Sequence, residues 1–176
     1  MSDWPIIRNV NPVVISPASP DVLGEALNGM GYTLSASAWP TANKAIFIPF
    51  PVYYPTTIVK MFVENGGTVS GNIDVGVYDR GGAKNVAKGS TAQSGSNAIQ
   101  EFDITDTLLM PGMHYLTVAM DNTTGQLQRW SPSSPILRAM GCKEATSSFA
   151  LPTSVTLAAL SSSYIPYVAV TSKTVI

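Results

Sequence analysis

Ser70-Gly71-Asn72-Ile73-Asp74-Val75-Gly76-Val77-Tyr78-Asp79 is the stretch that decides the fold. In an extended chain Ile73, Val75 and Val77 project to one side, and Asp74, Gly76 and Tyr78 to the other. A period of two held over that length marks a half-buried antiparallel strand. Upstream, Thr57-Ile58-Val59-Lys60-Met61-Phe62-Val63-Glu64 runs into the turn signal Asn65-Gly66-Gly67. Before that, Ala45-Ile46-Phe47-Ile48-Pro49-Phe50 is a short apolar run ended by prolines, consistent with a strand buried on both faces. Downstream, Asp79-Arg80-Gly81-Gly82 makes a turn, residues 85–93 return as a strand, and Ser94-Gly95-Ser96-Asn97 turns again. Ala98-Ile99-Gln100-Glu101-Phe102-Asp103-Ile104 follows, then the turn Leu109-Met110-Pro111-Gly112. Residues 113–120 form the next strand, with His114, Leu116, Val118 and Met120 on one face. Residues 126–130 and 136–140 each read as edge-pairing stretches.

Strand-sized segments parted by turn clusters about every 8–12 residues, with hardly a helical period among them, predict an all-β antiparallel sandwich, jelly-roll-like in variety. Three regions follow. Residues 1–43 read as an extended N-terminal arm punctuated by Pro5, Pro12, Pro17, Pro20 and Pro40, each of which removes a backbone donor. Within it Asn11-Pro12-Val13-Val14-Ile15 suits a short edge strand, and residues 21–27 one or two helical turns. Residues 44–140 hold the sandwich. Residues 141–176, rich in Ser, Thr and Ala, either complete it or pack on a neighbouring subunit.

Composition narrows the function classes. The chain has 176 residues, about one domain, and 45% hydrophobic residues, enough for a core without disulfides. Charged residues are 12%, about half the usual share, and the formal charge is −1. With no basic excess to neutralise phosphates, a nucleic-acid partner is not expected. No apolar run approaches the ~20 residues that cross a bilayer, so membrane insertion is not expected either. The start, MSDWPIIRNV, lacks the basic and apolar stretches of a signal peptide.

Candidate chemistry is sparse. A lone cysteine, Cys142, excludes an internal disulfide and reads as a small buried residue. His114 has no serine elbow or cysteine beside it and reads as structural. Asp103 and Asp106 have three readings: a glycosidase pair, calcium ligands together with Asp121 or Asn122, or caps for free backbone amides. No Ca²⁺-loop signature accompanies them. No catalytic residue, metal site or cofactor is therefore assigned. The aromatic residues Trp4, Trp39, Trp130, Tyr53 and Tyr54 are the candidate contact sites, beside prolines or at loop positions. They would anchor subunit contacts or stack on sugar rings. The turn tips Gly66-Gly67, Gly81-Gly82 and residues 121–125 are further contact candidates.

The strings A-N-K-A-I-F-I-P-F (42–50), V-E-N-G-G-T-V-S-G-N-I-D-V-G-V-Y-D (63–79), G-S-T-A-Q-S-G-S-N-A-I-Q (89–100) and L-M-P-G-M-H-Y-L-T-V-A-M-D-N-T-T-G (109–125) resemble β-sandwich proteins of tailed-bacteriophage and prophage structural-gene clusters. The resemblance spans roughly the middle half of the chain and transfers no functional residue. It implies a non-enzymatic virion component: a head decoration, an adaptor, or a tail or fibre accessory, assembled in the host cytoplasm. The implied partners are copies of itself and other virion proteins, with a host-surface glycan as a further contact. A carbohydrate-binding sandwich using Trp39 or Trp130 is the alternative. A small glycoside hydrolase or lyase using Asp103 and Asp106 is a third reading.

Overall fold

A computed structural model describes residues 13–15, 32–146 and 148–174. The expected helical turns at 21–27 and the indole of Trp4 lie outside these residues. Within them the chain is almost all β, built of antiparallel sheets packed face to face, as the alternation in residues 70–79 requires.

One layer is a sheet with the order β12 (Ala158–Ala159), β11 (Lys143–Ala145), β3 (Ala45–Val52), β9 (Gly112–Met120), β5 (Asn72–Asp79), β6 (Lys84–Ala87); β7 (Thr91–Ala92) also pairs with β5. Opposite it lies the sheet β1 (Val13–Ile15), β14 (Val168–Thr174), β4 (Thr56–Glu64), β8 (Ile99–Leu109). A third sheet, β13 (Ile165–Pro166), β10 (Gln126–Trp130), β2 (Ser35–Ala38), continues from the end of β4. The join is an Asn65–Leu127 bridge and a Gly66 N–H donating to the Gln126 carbonyl at 2.9 Å. Strands β11, β12, β13 and β14 thus belong to these sheets, and β2, within the stretch read as an arm, pairs with β10.

The main core lies between the layers. Ile46, Ile48 and Phe50 of β3, Ile73, Val75 and Val77 of β5, and Leu116, Val118 and Met120 of β9 meet Met61, Val63, Phe102, Val168 and Val170. For β5 and β9 these are the faces that the alternation groups together. Beyond Phe47, among the described residues, only β9 pairs with β3, which leaves an open side for the missing donors of Pro49 and Pro51.

Strand β5 departs from expectation: it is buried on both faces. Residues 148–157 strap over its outer side and enclose a second cluster of Phe47, Tyr78, Tyr115 and Leu151. The strap is pinned by Asp74, whose Oδ1 accepts the Gly89 N–H at 2.8 Å and whose Oδ2 accepts the Leu151 N–H at 2.9 Å. Burial raises the Asp74 carboxyl above its ordinary range, against the pull of those donors. Tyr78 Oη donates to the Pro152 carbonyl, and Lys84 Nζ to that of Leu151. Gly76 is required here, because a Cβ would stand 2.7 Å from the Val86 carbonyl oxygen.

Two shorter expectations are corrected. Residues 85–93 form two pieces, β6 and β7, parted near Gly89 at φ 86°. Residues 136–139 are not an edge strand but part of α1 (Ser134–Ala139), where Pro135 sits in the first turn and needs no N–H partner.

A slip in register crosses the β14–β4–β8 sheet. Ser172 and Thr171 pair with Ile58 and Lys60, so Val59 is extra against β14; residues 104–106 of β8 all stand opposite that same Val59. The bulge reverses the alternation. Before it, Phe102 and Ile104 face inward; after it, Leu109 does.

Candidate functional site

The reversal builds an exposed apolar end. Val52 pairs with Gly112, Pro51 with Met113, Thr56 with Leu109 and Thr57 with Leu108. The connections Tyr53-Tyr54-Pro55 and Met110-Pro111 therefore cross between the layers side by side at one end. Since Leu109 is inward, its neighbours Leu108 and Met110 point out. Leu108 is 55% exposed, Met110 59%, Met113 41%, Tyr53 75% and Tyr54 77%. Neither residues 46–59 nor residues 107–120 contain an Asp, Glu, Lys or Arg, so the patch has no charged member of its own.

The turns beneath it are braced. Thr56 Oγ1 donates to the Tyr54 carbonyl at 2.7 Å. His114 Nε2 meets the Met110 carbonyl at 2.9 Å, and a carbonyl only accepts, so Nε2 carries the proton. Its Nδ1 lies 3.4 Å from Asn85 Oδ1. His114 is buried and acts as a brace for the β8–β9 turn. The opposite end of the sandwich holds a buried polar network. Asn65, fully buried, donates through Nδ2 to the Ser94 carbonyl and Gln100 Oε1, and accepts from Gln93 Nε2.

No family model, curated protein or solved structure matches this chain.

The other sequence candidates fall as follows. Trp39 is 1% exposed and Trp130 2%, so neither indole offers a face to a sugar or a partner. Trp39 packs edge-on against Tyr164 and donates its indole N–H to the Lys44 carbonyl at 3.1 Å. Trp130 leans on Tyr167. Asp103 and Asp106 lie within β8, not at its end, and both are exposed. Asp121 accepts from the Asn72 backbone and side chain, each at 2.9 Å, and Asn122 Oδ1 accepts from the N–H groups of Thr124 and Gly125. Burial would raise the Asp121 carboxyl, but hydrogen bonds from Asn122 and Asn72 outweigh it and hold it below its ordinary value. These are loop-fixing roles. Among the described residues, no three His, Cys, Asp or Glu gather to hold a metal. Cys142 is buried, which pushes its thiol up to about 12.

Tips Gly66-Gly67 and Gly81-Gly82 are hydrogen-bonded turns: Gly67 accepts from Ser96 Oγ, and the Gly82 N–H donates to Asp79. Of the five aromatic candidates, Tyr53 and Tyr54 alone are exposed among the described residues. Leu108, Met110 and Met113 escaped the sequence reading. Their signal was two charge-free hairpins and the run Leu108-Leu109-Met110, in which one phase has to face water.

Proposed function

We propose that this chain is a non-enzymatic structural component of a tailed-phage virion, and that it docks onto other virion proteins through its apolar end. The observation that carries this reading is the patch of Tyr53, Tyr54, Leu108, Met110 and Met113, held on braced turns. Aromatic and Met side chains are enriched in interface cores, and charged residues are depleted there. A contiguous exposed apolar patch on a soluble domain marks an interaction surface. The likeness of residues 42–125 to phage sandwich proteins supplies the setting.

The test is mass spectrometry of purified particles from the phage or prophage that encodes the chain, alongside a Tyr54→Asp, Met110→Asp double variant. Both side chains are exposed, so the variant should melt like the parent. The chain should be present in particles and the variant missing from them. Particles lacking the parent chain would overturn the reading.

One observation favours a second reading, a carbohydrate-binding sandwich: Tyr53 and Tyr54 are adjacent, aromatic and exposed. A glycan array of the isolated chain discriminates, with Tyr53→Ala and Tyr54→Ala as controls. Binding lost in both variants would favour the sugar platform, and an array without signal would dismiss it.

A further inference from the structure

The methionines divide sharply by exposure. Met61 and Met120 are fully buried in the core, and Met140 is partly buried against it. Met1 and Met30 lie outside the described residues. Met110 and Met113 are 59% and 41% exposed, and both belong to the apolar end. They flank Pro111-Gly112, one in the turn after β8 and the other at the second position of β9, so a single hairpin tip holds two thioethers in water. The lone thiol does not compete with them. Cys142 is buried, and burial pushes it up to about 12, which keeps the reactive thiolate scarce.

A thioether that meets a hydroperoxide takes up one oxygen and becomes a sulfoxide. The sulfur lone pair attacks an oxygen of the peroxide, and the S–O bond forms as the O–O bond breaks. Sulfur is oxidised by two electrons and the peroxide reduced by two. The hydroxyl proton passes through solvent to the departing oxygen, which leaves as water or an alcohol. The product changes what this end of the sandwich can do. A sulfoxide oxygen is a polar acceptor, and residues 46–59 and 107–120 offer it no charged donor. Facing water it stays hydrated; pressed against a partner it becomes a buried acceptor without a bond. The fold is spared, because the braces run to the main chain: His114 Nε2 donates to the Met110 carbonyl and Thr56 Oγ1 to the Tyr54 carbonyl.

We propose that Met110 and Met113 form an oxidation site, where a hydroperoxide makes two sulfoxides and turns the apolar end from a docking face into a hydrated one. The loss of docking rests on the role proposed above. The selective oxidation, and the loss of apolar character that follows, do not.

The experiment treats the full chain with hydrogen peroxide and follows each methionine by peptide mass spectrometry. Met110 and Met113 should each gain one oxygen well before Met61 and Met120, with Tm unchanged. The oxidised chain should then elute earlier from a phenyl matrix. A Met110→Leu, Met113→Leu double variant keeps the patch apolar and has no thioether there, so its retention should not move on treatment. Added to particles assembled without the chain, untreated protein should bind at least about tenfold more tightly than oxidised protein, the cost of one unpaired buried acceptor. The treated double variant should bind like the untreated one. Met61 or Met120 oxidised as fast as Met110 and Met113 would overturn the proposal. So would a retention unmoved by oxidation, or one that shifts equally in the double variant. Selective oxidation and earlier elution of a chain that binds no particle, treated or not, would sink the virion reading and leave the oxidation site standing.

Discussion

Glu144→Gln tests whether the buried pair with Lys44 ties the C-terminal segment, from β11 on, to the sandwich. Glu144 Oε2 accepts from Lys44 Nζ at 3.0 Å, and both side chains are about nine-tenths buried. The carboxylate also accepts from the Ser161 backbone N–H at 3.0 Å and the Ser161 hydroxyl at 2.8 Å. It thus links the start of β3, strand β11 and the segment after β12. Removing one member of a buried pair costs about 3–5 kcal/mol, because a charge is left unmatched. Glutamine keeps one acceptor oxygen and Lys44 keeps Ser161 Oγ at 3.3 Å, so we expect a loss of about 2–4 kcal/mol. For a domain of this size that lowers Tm by about 5–15 °C.

The pH dependence has a definite sign. Burial would raise the Glu144 carboxyl, but hydrogen bonds from Ser161 and Lys44 outweigh it and hold the folded value below the ordinary 4.5. Its contribution is therefore fully present above the unfolded value and fades as pH falls through the folded one. Calorimetry across pH should show a wide gap between parent and variant at neutral pH, narrowing in acid. A Tm unchanged at neutral pH, or a gap of constant width, refutes the reasoning. Replacing both partners together, Lys44→Met with Glu144→Leu, should recover most of the loss.

Three further outcomes are expected. Gly76→Ala places a Cβ 2.7 Å from the Val86 carbonyl oxygen and 3.0 Å from Leu151 Cδ1; denaturant unfolding should show a loss of about 1–3 kcal/mol, with hydrogen exchange accelerated in β6. Asn65→Ala removes the donor to the Ser94 carbonyl and the acceptor of the buried Gln93 Nε2, and should cost about 1–3 kcal/mol in the same assay. Cys142, its thiol pushed up to about 12 by burial, should resist alkylation in mildly alkaline buffer until denaturant is added.

Much of the sandwich was legible because β5 and β9 keep a period of two and the strands are parted by Gly- or Pro-marked turns. The inward faces of β5 and β9 are the ones that residues 73–77 and 116–120 announce, and β3 is the largely buried strand that residues 45–50 announce. What was hidden depends on distant partners. The outer face of β5 reads as solvent-facing until residues 148–157, some seventy positions later in the chain, cover it. Trp39 and Trp130 sit next to Pro40 and Ser131, loop-like company, yet both are core: Tyr164 packs on Trp39, and Trp130 lies in β10 against Tyr167. The apolar end was half legible. Tyr53-Tyr54 stands out between prolines, whereas extending the phase of Phe102 and Ile104 would send Leu108 and Met110 inward. Only the bulge opposite Val59 reverses them.

That irregularity gives the exposed patch an unusual dependency. Its make-up is set by phase rather than by composition: a strand that kept the phase of Phe102 and Ile104 would turn Leu108 and Met110 underneath and Leu109 to the outside, although every amino acid at the rim stayed the same. The irregularity opposite Val59 therefore decides which apolar side chains meet water at this end, while point substitutions along the same strand would merely roughen the surface it presents.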